Sequence, residues 1–387
     1  MINLLLRLKR FCGYAVGFVF FIAGLLKLMD PVGAGLVMKE YFKFLHIEFL
    51  AGAGTAFGVV FALAEAVIGT ALITGVWKKT FALAAVVFQG FFTLLTLVLV
   101  IFKPEMDCGC FGEAVHLTHT QTFVKNIILL GLLLIYYIPA KLLGKPKPKK
   151  YVSFGLVTVS TAAFALYSLL YIPMADFTAL KAGVEINREY YSAENIYEAA
   201  FVYTKDGHEQ TFNLEALPDS TWTFVRTETV SQPQATKPAT TISIYDENGT
   251  YADSLLTKGR IMVISAYDKL SEKDSARIAS FAQKAEETGF TPIMLTASED
   301  IAVPEGFTRY FCDYKTLITL NRSNGGITYI DGGMIIRKWA KINLPDLDDL
   351  TDLSDMDATE SYIERDSKTS LAFQGFLLYV FAVMLLL

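Results

Sequence analysis

Six long apolar stretches decide which folds are open to this chain. A helix that crosses the hydrocarbon core of a bilayer needs about 20 mostly apolar residues, because backbone groups left unpaired in lipid are too costly. Of the 387 residues, 53% are hydrophobic and 19% are charged, whereas a typical soluble domain carries about 25% charge. The sequence therefore predicts a membrane α-helical bundle with spans at residues 11–28, 50–76, 80–102, 121–139, 151–172 and 371–387.

The positions of lysine and arginine predict how the bundle is oriented. Positive charge is concentrated before the first span, between the second and third spans, and between the fourth and fifth spans, where residues 141–150 hold five lysines. The positive-inside rule places these segments in the cytoplasm. Both termini are then cytoplasmic, and residues 173–370 lie outside, in the periplasm if the protein is in the inner membrane of a Gram-negative bacterium. No A-x-A-like cleavage site follows the first span, so we expect it to be retained.

Charge divides the chain into two parts. Residues 1–172 carry 15 Lys/Arg against 7 Asp/Glu, a net charge of +8, whereas residues 173–387 carry 19 against 32, a net charge of −13. The first part is suited to the lipid bilayer and the second to water. Binding to nucleic acid needs a clustered cationic surface, so the acidic second part predicts no nucleic-acid partner.

The region after the fifth span has the pattern of a water-soluble domain. Residues 173–240 are predicted to be rich in β-strands, and residues 241–345 run strand, helix, strand, helix and terminal hairpin, which is an α/β layout. That order, with the run NGGITYIDGG at residues 324–333, resembles a thioredoxin-like domain. The place of that family's Cys-x-x-Cys reads YDKLSE at residues 267–272, so the resemblance implies the fold as a binding or docking surface, without the redox chemistry. The acidic residues 346–370 are predicted to form a solvated linker to the last span.

Cys108-Gly109-Cys110 is the most specific motif in the chain, and it follows the third span on the predicted outer face. One intervening glycine allows the two Cα atoms to approach within the ~4.4–6.8 Å that a disulfide tolerates. The closed ring is too small to stabilise the fold much. A strained, accessible disulfide exchanges readily, so the motif predicts a redox pair in which either cysteine is the attacking thiolate.

Two alternatives to the redox pair remain open. Cys108, Cys110, His116 and His119 have ligand types that zinc or copper accepts, although their spacing is not a standard zinc signature. The motif is alternatively structural or inert, with both histidines as interfacial loop residues.

Three motifs together resemble the DoxX/MauE group of four-helix, redox-associated membrane proteins. They are FIAGLLKLMDP at residues 21–31, EAVIG at residues 65–69 and CGCFG at residues 108–112. The resemblance covers residues 11–140 and implies a membrane domain at residues 1–140 that takes part in quinone-coupled oxidation or in disulfide maturation of periplasmic proteins. A quinone is the cofactor that it implies. The basic loop with the fifth span (residues 141–172), the soluble region and the sixth span depart from the four-helix form.

Glu65 lies in the middle of the second span, where a carboxylate is costly and should face the bundle interior. Lys27 is a candidate partner, and Gln89 in the third span is a candidate hydrogen-bond partner of either. The functional hypothesis is an intramembrane proton or quinone site. The alternative is a buried polar pair that fixes the register of the helices.

The two remaining thiols are Cys12, near the cytoplasmic end of the first span, and Cys312, in the soluble domain. We expect Cys12 to be a packing residue. For Cys312 the choice is between a buried free cysteine and a thiol that exchanges with the Cys108 and Cys110 pair.

The leading functional hypothesis is a membrane thiol–disulfide redox or electron-transfer protein that acts at Cys108 and Cys110 on the periplasmic side, on a periplasmic or membrane protein partner. The alternative from another class is a non-enzymatic scaffold or assembly factor, anchored by the bundle, whose thioredoxin-like domain binds protein partners.

Overall fold

A computed structural model of the chain describes residues 2–139, 143, 145–186, 198–205, 208–213, 218–219, 221–230, 241–304 and 307–386. The domain boundaries expected at 140/141 and at 240, and Lys141 of the basic loop, lie outside these ranges.

The membrane part is helical, as predicted. Within the described ranges, six helices are long and apolar enough to cross a membrane. Five of them, with one shorter helix, come from the first half of the chain: α1 (Ile2–Met29), α2 (Pro31–Phe44), α3 (Gly54–Thr74), α4 (Lys78–Phe102), α5 (His119–Tyr137) and α6 (Pro148–Leu170). Helix α1 begins nearer the N-terminus than predicted and includes the basic flank, because straight-chain lysine and arginine continue a helix readily.

Helix α2 was not predicted, because residues 29–49 looked like a loop. Its 14 residues are too few to span a membrane. Local signals nevertheless start it: Pro31 occupies the first turn, and the Asp30 carboxylate accepts a hydrogen bond from the backbone N–H of Gly33 at 2.9 Å. Helix α2 then packs on α3 through small residues, and a Cβ added at Gly35 would lie 2.4 Å from the Thr55 hydroxyl.

Glycines bring α1 and α3 into close contact. A Cβ added at Gly24 would lie 2.7 Å from the Ala62 carbonyl oxygen, and one added at Gly69 would lie 2.5 Å from the Phe21 backbone nitrogen. In lipid the hydrophobic effect does not drive helices together, so close packing of small residues is a main source of association. These two helices form a closely packed central pair in the bundle.

A short strand, β1 (Cys110–Glu113), follows α4, and a small separate sheet follows α6. Its three antiparallel strands are β2 (Glu198–Lys205), β3 (His208–Asn213) and β4 (Thr223–Val230), in the order β3-β2-β4. The described part of residues 173–240 therefore contains β-strands, as predicted.

The main sheet belongs to residues 241–304 and 307–356, called here the sheet domain. Its strands are β5 (Ile244–Tyr245), β6 (Arg260–Ala266), β7 (Thr291–Thr296), β8 (Thr308–Cys312), β9 (Gly326–Asp331) and β10 (Met334–Trp339). Their order is β10-β9-β6-β7-β8-β5, with β6, β7 and β8 parallel and the other pairs antiparallel. Helices α7 (Glu272–Glu287) and α8 (Tyr314–Leu320) connect the strands, so the α/β prediction is confirmed as a mixed sheet with helices.

Residues 346–370, predicted to be a solvated linker to the last span, expose their acidic side chains but are helical, and their first part packs on the sheet domain. Helix α9 (Leu347–Asp355) begins at an Asp346 cap and buries Leu350 and Leu353 in the core of the sheet domain. Helix α10 (Ala358–Leu386) follows at once and continues into the apolar run, so it begins well before the predicted residue 371. The acidic side chains occupy the exposed face of an amphipathic pattern. One continuous helix thus joins the sheet domain to the bundle.

Candidate functional site

A cavity of 70 Å³ lies inside the bundle, between α1, α2, α3, α4, α5 and the loop that precedes β1. It brings together the five residues singled out in two separate sequence arguments. These residues are Lys27, Glu65, Gln89, Cys108 and Cys110. The thiols lie at the end of the bundle that contacts the sheet domain, and the polar residues lie deeper among apolar and aromatic side chains.

Lys27 and Glu65 form the predicted pair. The Lys27 Nζ lies 2.5 Å from the Glu65 Oε2, and both side chains are largely buried. Gln89 was expected to hydrogen bond to one of these two side chains, but it does not. Its Nε2 donates instead to the backbone carbonyl of Asn126 on α5, at 3.2 Å.

Asn126 was missed by the sequence reasoning, although a buried amide in a membrane helix is itself a signal. Its Nδ2 donates to the Thr96 hydroxyl at 3.2 Å, so α4 and α5 are joined by side-chain hydrogen bonds at the depth of the cavity. Lys125 of α5 also lines the cavity, and its Nζ lies 4.8 Å from the centre of the Phe111 ring. This cation–π contact holds a positive charge beside the thiols.

The cysteine loop, residues 103–113, is shaped by glycines. Gly109 has a φ of +61° and packs against Val37 of α2, where an added Cβ would lie 2.5 Å from a side-chain carbon. The Tyr41 hydroxyl donates to the Cys108 carbonyl at 3.1 Å, and burial raises the pKa of Tyr41, which keeps the hydroxyl protonated. A residue with a side chain at position 109 would both strain the backbone and displace α2.

The two thiols are free and differ in exposure. Cys108 is 8% exposed, whereas Cys110 is partly exposed. The expectation of an accessible pair is therefore wrong for Cys108. Burial raises the pKa of the Cys108 thiol, and the nearby Cys110 and Asp107 act in the same direction while Lys125 opposes it. Cys110 is therefore the more exposed of the two thiols.

The histidines do not join the cysteines in a metal site. His116 Nδ1 lies 3.4 Å from the Asp107 carboxylate, and His119 Nε2 contacts the Met106 carbonyl at 2.9 Å. Across the part of the chain that the structure describes, no three His, Cys, Asp or Glu side chains are grouped so that they could hold a metal ion.

The other two cysteines lie apart from this cavity. Cys12 is buried in the bundle core among α1, α3, α4 and α5 side chains. Cys312 is buried at the end of β8 against apolar residues of the sheet domain, and burial raises its pKa to about 12.

Arg322 of the sheet domain docks onto the cysteine loop, a contact that the sequence analysis did not predict. Its guanidinium lies 2.7 Å from Asp30 and 3.1 Å from Glu113, and its Nη1 donates to the Ile318 carbonyl at 3.3 Å. Only 6% of the side chain is exposed. Glu113 lies in the same short strand as Cys110, so one buried arginine joins the sheet domain, the start of α2 and the cysteine loop.

Two further contacts extend the docking surface. Lys315 and Glu40 form an ion pair at 2.8 Å, and the Lys39 Nζ donates to the Tyr314 hydroxyl at 3.2 Å. Tyr267 stacks edge-on against Tyr314, and its hydroxyl donates to the Arg322 carbonyl at 2.9 Å. The segment that begins at Tyr267, where a thioredoxin-like domain would carry its cysteines, is therefore beside the docking surface.

The fold and the site define an integral membrane protein in which a helical bundle holds a two-thiol loop and a mixed α/β domain is docked onto that loop. Residues 5–139 match the family model described as methylamine utilisation protein MauE, which confirms the MauE part of the resemblance for the helices that form the cavity. Residues 197–231 match a domain of unknown function, DUF8463. No curated protein and no solved structure matches the chain.

Proposed function

We propose that the chain is a membrane thiol–disulfide redox protein that acts through Cys108 and Cys110. The observation that carries the proposal is the asymmetry of the pair: one thiol is partly exposed and the other is buried against a cavity that contains an ion pair. Thiol–disulfide exchange begins with the attack of a thiolate on an accessible disulfide sulfur, and the other sulfur leaves.

The exchange begins with the pair as a disulfide. A thiolate of a dithiol partner attacks the Cys110 sulfur, the S–S bond breaks, and Cys108 leaves as a thiolate that takes up a proton. The partner's second thiolate then attacks the partner sulfur of the mixed disulfide and releases Cys110 as a thiolate. Two electrons pass from the partner to the pair, the partner gains a disulfide, and the raised pKa of Cys108 favours its protonated product.

The Lys27 and Glu65 pair lines the same cavity as the two thiols. The cavity is large enough for water molecules, which supports proton exchange between the buried thiol and the ion pair. An apolar cavity of about 150 Å³ holds one benzene ring. The cavity here, at 70 Å³, is smaller than that, and the exchange does not require a quinone.

The sheet domain is proposed to be thioredoxin-like and to bring the protein partner to the pair. Three parallel strands (β6, β7, β8) followed by the antiparallel β9 and β10 support that assignment, as does the position of Tyr267 beside the docking surface. We place this domain and the cysteine loop in the periplasm, with both termini cytoplasmic and the bundle in the inner membrane. The lysines that precede α6, at the opposite end of the bundle from the cysteine loop, support this orientation.

Redox titration of the purified protein in nanodiscs tests the proposal. After equilibration with mixtures of reduced and oxidised glutathione, free thiols are alkylated and the protein is examined by mass spectrometry. We expect a disulfide between Cys108 and Cys110, while Cys12 and Cys312 stay reduced. Cys108→Ser should accumulate a mixed disulfide with glutathione on Cys110, and Cys12→Ser is the matched control. Absence of a disulfide between Cys108 and Cys110 at every glutathione ratio would refute the proposal.

The scaffold alternative is favoured by one observation, the buried Arg322 contact that docks a domain without an accessible thiol of its own. A partner that co-purifies equally with the wild type and with the Cys108→Ser/Cys110→Ser double variant would support the scaffold. A partner captured only as a mixed disulfide would support the redox protein.

A further inference from the structure

A second cavity of 260 Å³ lies where the sheet domain meets the bundle, away from the cysteine loop. Its walls are residues 172–182, which follow α6, strand β10 and the first half of α10. Its lining includes the apolar residues Ile172, Met174 and Phe373 and the cations Lys181, Lys338 and Arg365. Phe373 belongs to the apolar run of α10, so the cavity opens at the level where the membrane-spanning part of that helix begins.

The cations of this cavity are not fully compensated. Lys338 is paired with Asp176 at 2.7 Å; the Lys338 side chain is buried and the Asp176 side chain is partly buried. Arg365 donates to the Lys338 carbonyl, and within the described ranges its guanidinium forms no direct ion pair, although the Asp176 carboxylate acts on it electrostatically. Lys181 and Asp366 are exposed at the rim. Arg365 is therefore the cation of the cavity that shares Asp176 with Lys338 and has no carboxylate bound directly to it.

A guanidinium that is removed from water and satisfied by a carbonyl alone retains most of its desolvation cost. An anion in the cavity would offset that cost. The planar fork of arginine matches the oxygens of a phosphate, with which it forms short charge-assisted hydrogen bonds. The neighbouring apolar wall would contact a hydrocarbon chain attached to that phosphate, in the manner of basic pockets between membrane helices that hold lipid head groups.

We propose that this cavity binds a phosphate group, with Arg365 as its main ligand and Lys181 as a second cation at the rim. The phosphate is supplied by an anionic phospholipid or by free phosphate, and the volume suits a head group rather than a whole lipid. Bound phosphate would contact α10, β10 and residues 172–182 together. It would therefore stabilise the contact between the sheet domain and the bundle.

Native mass spectrometry and thermal unfolding of the purified full chain test this site. The probes are dioleoylphosphatidylglycerol, dioleoylphosphatidylcholine and inorganic phosphate. The variants are Arg365→Gln and, as a matched control, Lys368→Gln, which removes a cation that is 74% exposed and paired with Glu364 on the same helix.

The wild type and Lys368→Gln should bind phosphatidylglycerol at least about tenfold more tightly than phosphatidylcholine, because the choline ammonium offsets the charge of the phosphate that Arg365 binds, and Arg365→Gln should lose that preference. Stabilisation by inorganic phosphate that Arg365→Gln abolishes would assign the site to free phosphate, and stabilisation by phosphatidylglycerol alone would assign it to the lipid. If Arg365→Gln does not fold, Arg365→Lys, which retains the charge without the fork, should show a weakened preference. An unchanged lipid preference in the Arg365 variant, or no response of the wild type to either anion, would overturn the proposal.

Discussion

Replacement of Arg322 by glutamine should release the sheet domain from the cysteine loop. The substitution removes a buried cation from between two carboxylates, at 2.7 Å from Asp30 and 3.1 Å from Glu113. Breaking a buried ion pair from one side typically costs about 3–5 kcal/mol, because the remaining charge is left uncompensated. The Glu113 side chain is 31% exposed and can be hydrated once Arg322 is gone. We therefore expect a cost at the low end of that range, about 3 kcal/mol.

A cost of that size changes the docking equilibrium by about two orders of magnitude. Strand β1, which carries Cys110 and Glu113, loses its anchor to the sheet domain. The rate of maleimide labelling at Cys110 should therefore rise in Arg322→Gln, and hydrogen exchange should accelerate at residues 110–113.

Lys315→Gln is the matched control. It removes an ion pair with Glu40 across the same docking surface, but the Lys315 side chain is 72% exposed, and exposed pairs contribute only about 0–1 kcal/mol. If Arg322→Gln and Lys315→Gln label and exchange at the same rate as the wild type, Arg322 does not hold the two parts together and the docking argument is wrong.

Three further predictions concern single side chains. Glu65→Gln should lower the free energy of unfolding by about 3–5 kcal/mol, because Lys27 is left in the bundle interior without a counter-charge, and the Lys27→Met/Glu65→Gln double variant should recover most of the loss. Equal thermal stabilities of the single and double variants would contradict this. In a Cys110→Ser background, alkylation of Cys108 should reach half its maximal rate at a higher pH than alkylation of N-acetylcysteine. The reason is that the raised pKa of Cys108 keeps its thiol neutral to higher pH. A midpoint at or below that of N-acetylcysteine would contradict the raised pKa. Cys312, whose pKa is raised to about 12, should resist iodoacetamide at pH 8 in the folded protein and react once it is denatured, as mass spectrometry of the alkylated peptides can show.

The membrane helices could be predicted from the sequence because their backbone hydrogen bonds are satisfied locally and a minimum length is imposed by the bilayer. The ends were less predictable. Helix α10 begins in a polar, acidic segment where hydropathy gives no sign of a span, and its start is fixed by packing of Tyr362 and Ala358 against the sheet domain. Helix α9 was missed for the same reason, since Leu350 and Leu353 form an apolar stripe that has meaning only with a core to bury it.

The sequence by itself determined the components of the candidate site: a carboxylate and a lysine in apolar spans, and two cysteines one glycine apart. Each is detectable alone, because a charge in lipid or a closely spaced thiol pair is chemically unusual wherever it lies. Only the tertiary structure decided that they share one cavity, that Cys108 is buried while Cys110 is partly exposed, and that Gln89 bonds to α5. The Arg322 contact joins residues 292 positions apart in the chain. Contacts of that kind depend on how separate elements pack, and neither periodicity nor composition carries that information.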